Sequence, residues 1–344
     1  MPLLPRRLGL FGLGFSRQAG ALLLPLALIA SACSSTMSRE QREKQIEIHT
    51  ESASVNLVLG EYQRAEDQAL RGLALDDDDF LLTLYLGRAL LNQGSIDSVL
   101  RAEYALRKLD TDEDFRVALS LGEALERKGV ALEQAAAGVE SGERFTPAPD
   151  PAARARELRA DSREAYEEAL ELFDEALDLQ PGDTEVLNGL VRVTAHLERY
   201  EDSLAWGEAL VRIAQTDRLW FRRQVDRPNV STDDEERFWR IIRRLRDLER
   251  SVRLHSATIL HLKLDRTEDA LAQLDAVLVF DADTAEVHSQ RAQLLVVLSR
   301  YEEAIAALDN FLRLAELEFD HPDVQRAFRI RTDCERALAR AQGA

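Results

Sequence analysis

The chain has 344 residues, 44 basic against 62 acidic, a formal net charge of −18 and 45% apolar residues. That acidity argues against a nucleic-acid surface, whose phosphates it would repel, and the apolar content argues against a disordered chain. Leu, Ala, Arg and Glu dominate while glycine (16), proline (9) and aromatics (6%) are scarce, so helix formers outweigh sheet formers. This length implies two domains or one extended repeat array.

Residues 1–32 open with Arg6, Arg7 and Arg17 and continue in an apolar run from Ala19 to Ala32. That run is too short to span a bilayer, which needs roughly 20 residues, and has the form of a secretory leader. It ends Ile29-Ala30-Ser31-Ala32-Cys33, which resembles the bacterial lipobox, with Ala30 where leucine is usual. The resemblance implies cleavage before Cys33, lipid on its thiol, and a lipoprotein facing the periplasm. Ser34, in place of aspartate, favours the outer membrane. Residues 33–45 are then a tether and the start of a helix. Ser38-Arg39-Glu40-Gln41 has the capping-box spacing that opens it.

From about 46 to 318 the chain repeats itself. Leu86-Gly87-Arg88-Ala89-Leu90 recurs 35 residues later as Leu121-Gly122-Glu123-Ala124-Leu125. A second signature, an aromatic followed by two polar residues and alanine, stands at Tyr62–Ala65, Tyr166–Ala169 and Tyr301–Ala304. Variants stand at Tyr200–Ser203 and Thr267–Ala270. Ala169 to Ser203 and Ala270 to Ala304 are each 34 residues apart. Carboxylates and hydroxyls at Asp76–Asp79, Asp110–Asp114, Pro181–Thr184 and Asp281–Thr284 punctuate the units as helix caps.

The pattern resembles the tetratricopeptide repeat. Its small eighth residue is met by Ala53, Gly87, Gly122 and Ala292, and its alanine at position twenty by Ala65, Ala169, Ala270 and Ala304. Of its late prolines only Pro181 is present. The resemblance implies an all-α, right-handed α-solenoid of about eight helical hairpins, degenerate around 130–160 and 218–250. A C-terminal capping helix within 319–344 would turn Phe328, Ile330 and Leu338 inward. One hairpin cannot cover its own apolar face, so neighbours must stack.

No catalytic constellation, metal site or cofactor loop is expected, and no small-molecule substrate. Asp110, Asp112 and Asp114 alternate like a calcium loop, but Phe115 and Leu121 occupy its glycine and glutamate positions. His255 and His261 do not share a helix face. Cys334 reads as a buried structural thiol. Three surfaces remain. The concave wall implied by the resemblance carries Arg88, Leu91, Asn92, Glu123, Arg127, Asn188, Arg192 and His196, suited to an extended segment of a protein partner. Leu219-Trp220-Phe221 with Phe238-Trp239 either anchors a partner or repairs a degenerate repeat. Arg237, Arg240, Arg243, Arg244, Arg246, Arg250 and Arg253 either meet an anionic surface or pair with Glu235, Glu236, Asp247 and Glu249. The functional expectation is a non-catalytic, lipid-anchored scaffold for envelope proteins. The alternative is an assembly chaperone or pilotin-like factor.

Overall fold

The computed structural model describes residues 37–112, 114–142 and 150–343, so Cys33 and the leader lie outside the described residues. Those residues form thirteen helices and no strand. They are α1 (Arg39–Val58), α2 (Tyr62–Leu73), α3 (Phe80–Gln93), α4 (Ile96–Leu106), α5 (Phe115–Ser141), α6 (Pro151–Leu179), α7 (Thr184–His196), α8 (Tyr200–Val225), α9 (Thr232–Leu262), α10 (Thr267–Phe280), α11 (Ala285–Val297), α12 (Tyr301–Leu314) and α13 (Pro322–Gly343). Each helix packs on the next, and α1, α3, α5 and α7 also pack on one another in sequence. The fold is an α-solenoid of antiparallel hairpins.

The caps follow from the sequence. Ser38 and Gln41 form the reciprocal capping box of α1. Asp79, Asp114, Asp150 and Asp183 accept backbone N–H bonds at the starts of α3, α5, α6 and α7. The repeated alanines Ala65, Ala169, Ala270 and Ala304 are fully buried, and Ser203 nearly so, because neighbouring helices cross at those points. Five residues before four members of that series stand Gly60, Glu198, Asp265 and Ser299, each with φ between 53° and 76°. One left-handed turn is thus reused four times, with glycine in only one of them.

The described residues hold six hairpins and a cap rather than about eight hairpins. The missing turns are where no proline interrupts the helices. Gly129 stands where Gly94 ends α3, yet α5 runs through it for 27 residues, and α6 runs unbroken for 29. Likewise α8 and α9 run for 26 and 31 residues. Two ordinary helices fuse in each case, which preserves the 34-residue beat while removing two hairpins. The fused arms α5 and α6 carry a small core of their own, Ala136, Ala155 and Leu158. There the Ser162 hydroxyl donates to the Gly129 carbonyl at 2.8 Å.

Two large cores meet along α9. The first runs from Ala53 to Val252 and the second from Ala257 to Cys334. Phe173 is the wedge of the first. It is fully buried, and a Cβ on Gly122 or on Gly189 would come within 3 Å of its ring. On α13 the inward face is Val324, Ala327 and Cys334, with Ile330 and Leu338 half-buried. Phe328 is turned outward and lies 5.4 Å from Phe319, ring centre to ring centre. The expected inward Phe328 is therefore corrected. Small Ala327 and Cys334 fit against α12, and that register rotates the phenyl ring to the surface.

Candidate functional site

The sequence-predicted wall residues come from three helices separated by long stretches of chain, yet the fold gathers most of them. Arg88, Leu91 and Asn92 of α3, Glu123 and Arg127 of α5, and Asn188 and Arg192 of α7 line one groove of about 190 Å³, joined by Glu185. These helices stack side by side, and residues one turn apart on each project to the same face.

The groove is polar, and its charges differ in their partners. Arg192 forms a fork with Glu126 of α5 at 2.5 and 2.6 Å, and Glu126 is buried. This bidentate pair ties α7 to α5. The Arg127 guanidinium donates to the Leu91 carbonyl. Leu91 itself is buried, so it contributes backbone rather than an exposed side chain. Burial pushes the Glu123 carboxyl above its ordinary range, while Arg127 and Arg192 pull it back and Glu185 and Glu126 push it further up. The Asn92 amide donates to the Arg88 carbonyl. Among the described residues, the Arg88 guanidinium and the Asn188 amide have no hydrogen-bond partner.

His196 stands apart. Its ring stacks on Tyr166 at 4.5 Å and 12°, and its Nδ1 lies 3.7 Å from Glu133. It is not among the residues lining the groove. Nearby, His255 of α9 is held below the usual histidine range by burial and by His196 and Arg192, and its Nε2 is buried without a partner among the described residues. Glu126 was not singled out from the sequence, where it carries no motif. Tyr166 was visible only as a repeat-signature aromatic, and His255 only beside His261, with which it shares no helix face.

The remaining candidates resolve as follows. Asp114 caps α5 and forks with Arg116, so the acidic run serves as a cap. Among the described residues no group of three or more His, Cys, Asp or Glu is placed to hold a metal ion. No described helix is long and apolar enough to cross a membrane. Phe221 and Phe238 pair across the α8–α9 hairpin at 5.8 Å and hold it together, while Leu219 and Trp220 remain 59% and 51% exposed. The arginine run divides as well. Arg246 and Arg250 bond Asp281, and Arg253 bonds Glu249 and Gln273. Arg237, Arg240, Arg243 and Arg244 are exposed and unpaired among the described residues.

Compared with known proteins, residues 162–222, from within α6 through most of α8, match the tetratricopeptide repeat family model. No curated protein matches the chain. Similar solved structures include the S. pombe nuclear import adaptor Nro1, with a TM-score of 0.47 and 12% identity over 83% of this chain and 98% of that one. YrrB, a TPR protein with an unusual peptide-binding site, has a TM-score of 0.43 and 15% identity over 76% of this chain and 97% of its own. A tetratricopeptide repeat protein from Parabacteroides merdae has 0.32 and 13%, over 84% and 99%. Likeness at this level carries neither partner nor activity to this chain. The repeat type itself is that of a protein–protein interaction platform.

Proposed function

We propose that the chain is a non-catalytic scaffold that seats a segment of a protein partner in the α3–α5–α7 groove, and that lipid on Cys33 holds it to a bacterial membrane. The observation that carries this reading is the convergence of Arg88, Asn92, Glu123, Arg127, Asn188 and Arg192 on one narrow polar groove. Asn188 offers a donor and an acceptor, and Arg88 offers a fork of donors. A peptide backbone, which presents both carbonyls and N–H groups along its length, matches that set. The Arg192–Glu126 fork fixes the spacing between helices, so the groove is formed before anything binds. An anchored scaffold raises the local concentration of what it holds.

Two variants test the two parts separately. In detergent-extracted affinity purification, Arg88→Glu with Asn188→Ala loses the protein recovered by the wild-type chain while its helix content is unchanged. Equal recovery from the variant contradicts the groove. Cys33→Ser moves the protein out of the membrane fraction, and retention there contradicts the anchor.

A further inference from the structure

The α8–α9 hairpin ends in a surface that the groove does not use. Between Arg237 and Arg246 of α9 the chain places five arginines and five apolar residues, with no carboxylate. Four of those arginines, Arg237, Arg240, Arg243 and Arg244, are exposed and have no ion-pair partner among the described residues, and the same holds for Arg223 of α8 and for Arg227 in the loop that follows it. Elsewhere among the described residues most arginines are ion-paired, so a cluster of six open guanidiniums is a local departure. Trp220 and Leu219 are exposed on α8, a turn before Arg223. On α9, Trp239 lines a shallow depression with Arg240, Arg243 and Glu236, with the Arg222 guanidinium 4.7 Å from its ring centre. The start of α9 also carries Asp233, Asp234, Glu235 and Glu236, all exposed, and the six open arginines outnumber these four carboxylates. Asp234 accepts from the Ser231 hydroxyl at 2.7 Å and Glu235 from the Trp239 indole at 3.4 Å.

We infer that this tip docks on an anionic, phosphate-bearing bilayer surface. Two observations select that occupant. Aromatic rings flanked by arginines match a lipid interface in chemistry, the rings sitting at headgroup depth and the cations on the phosphates. The second is topological. Successive helices alternate in direction, so the end of every even helix and the start of every odd one lie on the same edge of the solenoid. The tip joins the end of α8 to the start of α9, and α1 starts on that same edge at Ser38, close behind Cys33. The tip therefore lies on the edge from which the chain's amino-terminal segment leaves the fold.

The test uses the full chain with Trp206→Phe and Trp239→Phe, leaving Trp220 as its one tryptophan. Trp220 fluorescence is followed with vesicles of brominated phosphatidylglycerol and of brominated phosphatidylcholine. Quenching is expected with the first, falling as salt rises, and little with the second. Each arginine removed should weaken partitioning about fivefold. The triple change Arg237→Ala, Arg240→Ala and Arg244→Ala should therefore weaken it roughly a hundredfold while thermal unfolding stays unchanged. The leader carries Arg6, Arg7 and Arg17 and also favours anionic lipid, but the triple arginine change leaves it untouched, so the loss of Trp220 quenching on that change reads the tip alone and does not depend on the Cys33 anchor. Equal quenching by both lipids, or none by either, overturns the inference. So does protection of Trp220 by an acidic polypeptide when anionic vesicles give none, which assigns the tip to a protein instead.

Discussion

Replacing Gly189 with alanine probes the packing that brings α5, α6 and α7 together. Alanine is the better helix former by about 0.8–1.0 kcal/mol, so on propensity alone the change stabilises. The added Cβ would lie 2.6, 2.7 and 2.9 Å from three atoms of the Phe173 ring. The ring has no room to retreat. It is fully buried, and a Cβ built on Gly122 would meet it at 2.9–3.1 Å. Overpacking of this kind costs about 1–3 kcal/mol. With the ring held from both sides, a net loss of about 1–2 kcal/mol is expected after the propensity gain. Urea unfolding followed by circular dichroism measures it. The double change with Phe173→Leu should cost less than the sum of the two single changes, because the smaller side chain relieves the clash. A Gly189→Ala protein as stable as the wild type, or more stable, would refute the reasoning.

Other consequences are independent of that wedge. Arg192→Ala leaves the buried Glu126 carboxylate without its fork. Arg192 is itself 37% exposed, so the loss is discounted for solvent to about 1–2 kcal/mol, read from the shift in urea midpoint. Glu198→Gly, Asp265→Gly and Ser299→Gly each relieve a left-handed residue and should raise stability by about 1 kcal/mol in thermal unfolding. Glu123 has a raised pKa in the fold, chiefly through burial. Its contribution to stability is present in acid and is lost as pH rises through the folded value. Glu123→Gln should therefore be more stable than wild type near neutral pH and no more stable below the ordinary 4.5. A stability difference that is the same at both pH values would contradict that assignment.

The sequence made the repeat legible because buried crossings demand small residues, and Ala65, Ala169, Ala270 and Ala304 recur where helices touch. The groove was legible too, since Arg88, Glu123 and Arg192 sit at equivalent positions of stacked helices and Asn188 lies one turn before Arg192. The degenerate stretches around 130–160 and 218–250 and the unbroken run from Pro151 to Leu179 were legible, but the continuation of α5 through Gly129 was not, because Gly129 stands where Gly94 ends α3. The repeated left-handed turn was hidden for a related reason. Glutamate, aspartate and serine hold it at Glu198, Asp265 and Ser299, and only Gly60 carries a residue that signals it. His196 was placed on the wall by its position in the repeat, but stacking on Tyr166 takes it out of the groove lining. Pairing between distant residues, such as Glu126 with Arg192, leaves no trace in a single chain.

The most direct test of the binding account is site-specific photo-crosslinking in the native membrane. A crosslinker at Asn188, in the groove, is compared with one at Val279, which is 88% exposed on α10 and outside the groove. The account predicts one discrete crosslinked protein from position 188, suppressed by Arg88→Glu, and none from position 279. The same product from both positions, or a product at 188 indifferent to Arg88, would contradict it.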